Sequence, residues 1–199
     1  NALYTLTTHK QNETSKSDNN KETGEGEAHR SKLLPAYRTA THNVHGFSNY
    51  GRENMAKCRG KQENAKALVT KHDITFFQET KLLDRENRFF KTFLPPGFVP
   101  HTSSHTKFSA GVAIITSPLL NELYHQKVIP LPPSLKGNAL CVHFEAKNGT
   151  HSFRALNLYL DSHKSETRIS QLGTLIDSLS SNSHLIVGGD FNFVEDKFE

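Results

Sequence analysis

The sequence predicts an α/β domain in which helices pack in layers against a mixed β-sheet. Three observations support this fold class. Short apolar runs that are typical of buried strands recur along the chain. Several of the stretches between them have the periodicity of an amphipathic helix. The dipeptide Asn148-Gly149 separates two strand-like segments, as expected for a β-hairpin with a type I′ turn.

A polar leader is expected to precede this domain. Residues 7–32 contain almost no large apolar side chain, so they cannot bury enough surface to offset the entropy of ordering them. We therefore divide the 199 residues into a disordered leader, 1–35, and one domain, 36–199.

Acidic and basic residues balance within the leader. The net charge of +4 thus belongs to the domain, and it favours a polyanionic partner only weakly.

The first half of the domain alternates between apolar runs and helical periodicity. The first predicted strand ends in a turn at His45-Gly46, and Asp84 can cap the second predicted helix. The predicted elements are strands at 38–44, 74–79 and 111–116, a helix at 53–71, and a helix from Asp84 that Pro95-Pro96-Gly97 would end.

The second half begins with a proline-rich connection, 130–137, and continues with the predicted hairpin. Its first strand is expected to be half-exposed, because Leu140, Val142 and Phe144 alternate with Cys141, His143 and Glu145. Its return strand spans 152–160. The helix predicted at 165–179 has one apolar stripe, made of Ile169, Leu172, Leu175, Ile176 and Leu179.

The last predicted strand runs through Gly188-Gly189 to Asp190, and Asn192 follows two residues later. Residues two apart in an extended segment point to the same face, so Asp190 and Asn192 are expected to project together. An acid beside an amide suits phosphoester chemistry, in which water is deprotonated and phosphoryl charge is held. An ordinary turn is the alternative, because Asp and Asn side chains both bond nearby backbone N–H groups.

Three further strand ends carry polar groups, namely Asn43, Glu79 and Tyr159. Ligand sites gather at strand ends in layered α/β sheets, and a carboxylate with waters and phosphate oxygens is the usual ligand set for Mg²⁺. Each residue also has a simpler interpretation. Asn43 suits a turn, Glu79 a solvated strand end or an ion pair with Lys81, and Tyr159 a core position with its hydroxyl at the rim.

The order and spacing of this set resemble the endonuclease/exonuclease/phosphatase superfamily, and within it the apurinic endonucleases and the endonuclease domains of non-LTR retrotransposons. Gln78-Glu79-Thr80-Lys81 followed by Gly189-Asp190-Phe191-Asn192 is the most specific combination. The matching segments, in the order found in the family, are 41–47, 76–81, 110–114, 157–159 and 188–192.

The resemblance implies a four-layer α/β sandwich of the DNase I type and hydrolysis of a phosphodiester with Mg²⁺ or Mn²⁺. The metal would be held by Glu79 as principal ligand, with Asn43 beside it orienting the site or a metal-bound water. Tyr159 would hydrogen-bond the attacked phosphate. Asp190 would orient and deprotonate the attacking water, and Asn192 would hold a phosphoryl oxygen as charge builds.

Three departures from the family pattern stand out. The family commonly has Pro and Asn soon after its tyrosine, where this chain has Leu160-Asp161-Ser162-His163. His45 stands where relatives often carry Arg or Asn. No Ser-Asp-His element follows Asn192. The domain is therefore expected to be incomplete at its C-terminus and to hold the N-terminal two thirds of the family fold.

Several site classes are disfavoured. The chain has two distant cysteines and no Cys-x-x-Cys pair, which argues against a structural zinc site or a disulfide framework. It has no long apolar run for a membrane span.

We predict a metal-dependent DNA endonuclease. An inositol-phosphate or lipid phosphatase of the same superfamily and a catalytically silent fragment that binds nucleic acid stay as alternatives. The sequence predicts neither oligomeric state nor compartment.

Overall fold

Two β-sheets lie face to face, and a helix covers the outer face of each sheet. The computed structural model describes the backbone of residues 2–6, together with residues 36–47, 55–82, 89–105, 110–179 and 184–192. Within these residues, sheet A contains five strands and sheet B contains four. Three α-helices occur in the described residues, α1 (Met55–Val69), α2 (Pro118–Leu123) and α3 (Ser165–Ser178), together with a short 3-10 helix at Pro133–Leu135.

The strand order places the first and last of the described strands next to each other. Sheet A runs in the order β1 (Ala2–Leu6), β9 (His184–Asp190), β8 (Ser152–Tyr159), β7 (Ala139–Ala146) and β6 (Tyr124–Ile129). Sheet B runs in the order β2 (Thr39–Asn43), β3 (Ile74–Gln78), β5 (Val112–Thr116) and β4 (Val99–Ser103).

Each sheet contains one parallel pair. β2 and β3 are parallel in sheet B, and β8 and β9 are parallel in sheet A, whereas the other neighbours are antiparallel. Parallel strands need a long crossover connection. α1 lies within the connection from β2 to β3, and α3 within that from β8 to β9. Because the strands of each pair run in the same direction, the C-terminal ends of β2 and β3 lie side by side, and so do those of β8 and β9.

Three hydrophobic cores separate the four layers. The core between the sheets is mainly aromatic and β-branched, the second core lies between α1 and sheet B, and the third lies between sheet A and α3. This arrangement confirms the predicted four-layer α/β sandwich. Representative residues are Phe76, Ile114, Val142 and Phe144 for the first core, Ala65, Val69 and Phe77 for the second, and Cys141, Leu156, Leu175 and Val187 for the third.

β7 is buried on both faces near the third core, so the prediction of a half-exposed strand was wrong there. Cys141 is fully buried because α3 and the short turn Pro133–Leu135 cover the outer face of sheet A. The expected alternation survives only toward the end of the strand, where His143 is half-buried and Glu145 is exposed.

The apolar stripe predicted for α3 is only partly buried. Leu175 faces the third core, but Ile169 and Ile176 are each 70% exposed. The predicted stripe spans a wider arc of the helix than the part of α3 that contacts sheet A. The predicted hairpin is present, because β7 and β8 are antiparallel neighbours, but its turn is not of type I′. Gly149 has a φ of 68° but Asn148 does not share a positive φ, whereas a type I′ turn needs both.

The sequence did not predict β1, β4, β6 or α2. The strand Ala2–Leu6 pairs with β9 and therefore does not belong to a disordered leader. The disorder predicted for 7–35 and the helix cap predicted at Asp84 lie outside the described residues. No helix among the described residues is long and apolar enough to cross a membrane.

Candidate active site

The two parallel pairs bring four strand ends to one edge of the sandwich. In sheet B, Asn43 at the end of β2 is the register partner of Gln78 at the end of β3, and Glu79 follows directly. In sheet A, Tyr159 at the end of β8 is the register partner of Asp190 at the end of β9. Because the sheets face each other, side chains from both sheets meet at this edge.

Four of the predicted residues lie in one hydrogen-bonded cluster. The Asn43 Nδ2 donates to Glu79 Oε1 at 2.8 Å and to Asp190 Oδ2 at 2.9 Å. The Tyr159 hydroxyl donates to Glu79 Oε1 at 3.1 Å. The strand ends therefore converge as the sequence predicted, while the chemical role of each residue stays a prediction.

The orientation of the Asn43 amide is set by the turn that follows it. Its Oδ1 accepts the backbone N–H of His45 at 3.0 Å, so the NH₂ group faces the two carboxylates. Flipping the amide would place donor against donor at His45. Asn43 thus bridges Glu79 and Asp190 as a donor. This arrangement matches the predicted orienting role better than a direct metal contact through the amide oxygen.

The backbone of Glu79 has a φ of 52°, in the left-handed region that residues other than glycine rarely adopt. Neighbouring hydrogen bonds hold this conformation, because the Glu79 carbonyl accepts from Gly46 at 2.7 Å and the Thr80 N–H donates to Gly111 at 3.0 Å. The conformation turns the Glu79 side chain out of β3 toward the cluster. Strained backbone of this kind is concentrated at functional sites.

The surroundings of Glu79 favour its ionised form. Lys81 Nζ lies 3.4 Å from Oε2 and His45 Nδ1 lies 3.6 Å from Oε1. Burial raises the pKa of Glu79, but hydrogen bonds from Asn43 and Tyr159 and the nearby His45 and Lys81 outweigh it, so the pKa lies below its ordinary value. The ion pair with Lys81 that the sequence offered as an alternative is present, and it coexists with the cluster.

Tyr159 is held as a neutral donor. Burial, the charge of Glu79 and the hydrogen bond to Glu79 raise the pKa of Tyr159 to about 12. Its backbone is fixed by Asn138, which accepts the Tyr159 N–H at 2.8 Å and donates its side-chain amide to the Tyr159 carbonyl at 2.8 Å. The phenol is therefore protonated at neutral pH and aimed at the cluster.

The Asp190 carboxylate accepts hydrogen bonds both from the turn that follows it and from the cluster. Its Oδ1 accepts the Asn192 backbone N–H at 3.2 Å, while its Oδ2 faces Asn43. Asn192 has a φ of 48° and donates its side-chain amide to the Leu160 carbonyl at 2.7 Å. The segment after Asp190 is not extended, so the expectation that both side chains share one face was wrong. The turn proposed as the alternative is present.

A cleft of about 380 Å³ opens beside the cluster. The loop after Tyr159 forms one wall, and Asp161 fixes it by accepting the N–H groups of His163 at 2.8 Å and Lys164 at 2.6 Å. This turn was not predicted from the sequence, although Asp161, just before the helix predicted at 165–179, was a signal for it. The residues that line the cleft are Glu79, Lys81, Ala110, Asn138, Tyr159, Asp161, Ser162 and His163.

Glu79 and Asp190 are the groups that could hold a divalent cation. Within the described residues, no cluster of three or more His, Cys, Asp or Glu side chains gathers. Two carboxylates converge on one amide nitrogen, however, and both offer hard oxygen ligands. Mg²⁺ is commonly bound by one or two carboxylates and keeps several waters, so this donor set fits such an ion.

Comparison with known proteins identifies the family. A model of the Endonuclease/Exonuclease/phosphatase family matches residues 40–198. No curated protein matches the sequence significantly. Among solved structures, a functionally unknown conserved protein from Enterococcus faecalis V583 is 18% identical with a TM-score of 0.58, over 78% of this chain and 67% of that one.

Two further structures have the same fold. The AP endonuclease from Leishmania major is 19% identical with a TM-score of 0.56, covering 77% of this chain and 54% of that one. The mannosyl-6-phosphatase from Bacteroides thetaiotaomicron is 18% identical with a TM-score of 0.54, covering 79% and 66%. The chain spans about two thirds of the length of these structures or less. From the family match over 40–198 and the shared fold, the chain belongs to the Endonuclease/Exonuclease/phosphatase family.

Proposed function

We propose that this chain belongs to a Mg²⁺-dependent phosphodiester hydrolase that acts on DNA, as an endonuclease of the apurinic or retrotransposon type. The observation that carries the proposal is the cluster of Asn43, Glu79, Tyr159 and Asp190. These side chains come from four strands in two sheets, and they meet beside an open cleft. Family membership gives the reaction class, which is hydrolysis of a phosphoester.

Glu79 would hold the divalent cation through its carboxylate oxygens as the principal ligand, which leaves the Asp190 carboxylate to act on the attacking water. When bound, the ion would neutralise charge that develops on the phosphoryl group. Mg²⁺ and Mn²⁺ both suit hard oxygen ligands. Asn43 would keep the two carboxylates at a fixed separation, because one nitrogen donates to both of them. The low pKa of Glu79 keeps this group ionised at neutral pH.

The remaining residues act on water and phosphate. Asp190 would orient the attacking water and accept its proton. Tyr159 would turn its hydroxyl hydrogen from Glu79 to a phosphoryl oxygen when substrate binds, and a pKa of about 12 keeps the phenol protonated for this role. Asn192 would hold a second phosphoryl oxygen with the amide hydrogen that is not bound to Leu160.

DNA is proposed over a small phosphoester for two reasons. The domain carries the formal excess of +4 charges, and Lys81 lines the cleft beside Glu79. The segment Gln78-Glu79-Thr80-Lys81 also resembles the apurinic and retrotransposon branch. The structural neighbours do not decide the substrate, because an AP endonuclease and a sugar phosphatase both have this fold.

The test is nicking of supercoiled plasmid by the full-length protein that carries this chain, with Mg²⁺ or with EDTA. Glu79→Gln and Asp190→Asn keep the side-chain volume and remove the charge. We expect each to lower the nicking rate by about 10²- to 10⁴-fold, and EDTA to abolish nicking. Glu145→Gln, at an exposed position on β7, is the matched control and should keep the wild-type rate.

Other outcomes would reject the proposal. Release of phosphate from inositol phosphates or phospholipid vesicles, without nicking of plasmid or of an abasic-site duplex, would identify a phosphatase of the same family. DNA binding without turnover by the full-length protein would identify a silent binding domain. Nicking that survives both Glu79→Gln and Asp190→Asn would place the chemistry elsewhere.

A further inference from the structure

A pair of buried amides joins the two sheets directly behind the cluster. Asn157 on β8 and Gln78 on β3 are both 0% exposed. The Asn157 Nδ2 donates to the Phe77 carbonyl at 2.9 Å and to the Ala113 carbonyl at 2.8 Å. One side chain of sheet A is therefore bonded to the backbone of two adjacent strands of sheet B.

Gln78 completes this arrangement, which we call the amide latch and define as Gln78 and Asn157. The Gln78 Nε2 donates to Asn157 Oδ1 at 2.7 Å and to Thr41 Oγ1 at 3.0 Å. Every polar atom of the Asn157 side chain is thus used. A buried amide is costly when its hydrogen bonds are missing, so the latch stabilises only the one arrangement of the sheets that satisfies it.

The rest of the core between the sheets is mainly apolar. Around the latch it consists of side chains such as Phe76, Ile114, Val142 and Phe144, which pack by non-directional contacts. Apolar packing tolerates small shifts of one sheet against the other. Directional hydrogen bonds across the gap do not, because their strength falls steeply with distance and angle.

The latch is connected to all four residues of the cluster. Gln78 precedes Glu79 in the chain and is the register partner of Asn43. Asn157 lies two residues before Tyr159 on β8, so both side chains point toward sheet B. In the next strand its register partner is Gly188, two residues before Asp190. Moving the latch would therefore move each of these strand ends.

Gly188 allows the sheets to approach closely at this level. A Cβ at Gly188 would lie 2.5 Å from Cδ2 of Phe76, which is fully buried on β3. Without a side chain at 188, the face of sheet A beside Asn157 can contact sheet B directly. A side chain as short as Asn can then reach the carbonyls of β3 and β5.

We propose that Gln78 and Asn157 are positioning residues that set the separation of Glu79 and Asn43, on sheet B, from Tyr159 and Asp190, on sheet A. The inference rests on the proposed function. It predicts that the latch fixes the geometry of the cluster rather than merely the stability of the fold. Displacements of about 1 Å at a reacting centre are known to lower rates by about 10²-fold.

The experiment compares Asn157→Leu with Val142→Ala in the full-length protein. Leu has the same number and branching of side-chain heavy atoms as Asn but makes none of the latch's hydrogen bonds. Val142 lies in the same core between the sheets, on β7, and makes no contribution to the cluster, so Val142→Ala is the control for lost packing. Plasmid nicking gives kcat and KM, and Mn²⁺ affinity is measured by electron paramagnetic resonance.

We expect Asn157→Leu to lower kcat by about 10²-fold with little change in KM. We expect its Mn²⁺ affinity to fall by about 10- to 100-fold, the usual effect of residues that orient metal ligands. Val142→Ala should lose stability but keep kcat and Mn²⁺ affinity. Equal losses of kcat in the two variants, or wild-type values in Asn157→Leu, would overturn the inference.

A readout without metal or substrate separates this inference from the proposed function. In the wild type, the Thr80 amide donates to Gly111 and the Leu160 amide to Asp190, one at each side of the cluster. Hydrogen exchange should show both amides losing protection together in Asn157→Leu and neither in Val142→Ala. If the wild type neither nicks DNA nor binds Mn²⁺, the proposed function fails while this measurement still tests the latch.

A milder variant covers the case in which Asn157→Leu does not fold. Thr41→Val removes the hydroxyl that accepts from Gln78 and keeps the side-chain shape. We expect losses in kcat and amide protection in the same direction and of smaller size. Unchanged kcat together with unchanged protection of the Thr80 and Leu160 amides in this variant would overturn the inference.

Discussion

Asn43 and Asp190 are separated by 147 positions in the chain, yet the Asn43 Nδ2 donates to Asp190 Oδ2 at 2.9 Å. The bond crosses from sheet B to sheet A, and the same nitrogen donates to Glu79. A neutral side chain thus keeps two acidic groups close together. Without this amide the two carboxylates would repel each other unless a bound cation or a proton neutralised their charge.

Replacing Asn43 tests this bridge. We expect Asn43→Ala to lower the plasmid-nicking rate by about 10²-fold, because the two carboxylates lose their shared donor. Asn43→Asp should be more harmful at neutral pH, since a third carboxylate would join the other two. Asn148→Ala, in the exposed hairpin turn, is the control and should keep the wild-type rate. An Asn43→Asp variant with wild-type activity would contradict this interpretation.

Acid should remove the stability that Glu79 contributes in its ionised form. Because the folded-state pKa of Glu79 lies below its ordinary value of 4.5, this contribution is present above about pH 4.5 and is lost as the pH falls through the folded-state pKa. The free energy of unfolding of the wild type should therefore decline relative to that of Glu79→Gln below this pH. Urea titrations of both proteins between neutral and acidic pH measure the difference. A difference that stays constant into acid would mean that the pKa is not lowered.

Two glycine-to-alanine substitutions should have opposite effects on stability. In Gly188→Ala the new methyl group meets Phe76 within 2.5 Å, so we expect a loss of about 1–3 kcal/mol in the free energy of unfolding. At Gly173, on α3, no atom other than the adjoining residues and the helix's own nearby backbone lies within 4 Å of the position of a Cβ. Gly173→Ala should therefore gain about 0.5–1 kcal/mol from helix propensity. Urea denaturation of the two variants checks both signs.

Neighbouring residues of α3 should differ in their importance for folding. Leu175 is buried in the third core, so Leu175→Ala should lower the free energy of unfolding by about 2–5 kcal/mol. Ile176 is 70% exposed, and Ile176→Ala should change it by no more than about 0.5 kcal/mol. Chemical denaturation distinguishes the two. A large loss in Ile176→Ala would show that this face of α3 is covered in the intact protein.

Buried strands with polar ends were the predictable part of the structure. β3 combines an apolar run with a polar end, and its last residues also belong to the segment that identifies the family. β4 and β6 lacked such a signal. β4 contains proline and histidine, and half of the β6 residues are exposed, so pairing with β5 and β7, rather than local preference, makes them strands.

The members of the site were predictable, but their geometry was not. Asn43, Glu79, Tyr159 and Asp190 could be chosen because each lies at or near the end of a predicted strand. The direction of the Asn43 amide depends on the backbone of the following turn, where His45 has a φ of 49°. The turn at Asn192 depends likewise on a left-handed backbone that sequence periodicity does not encode. Gln78 and Asn157 lie in segments that match the family, but the hydrogen bonds that join them form only when the two sheets meet and could not be predicted.

The pairing of Ala2–Leu6 with β9 has a practical consequence for protein production. Their register sets Ala2 opposite Gly189, next to Asp190. A shortened expression clone that begins near residue 36, as the polar composition of the leader would suggest, removes this strand. The backbone of β9 would then lie open along one side, and exposed strand edges promote association between molecules. Preparations that omit the first six residues are therefore expected to precipitate more readily and to hold Asp190 less firmly.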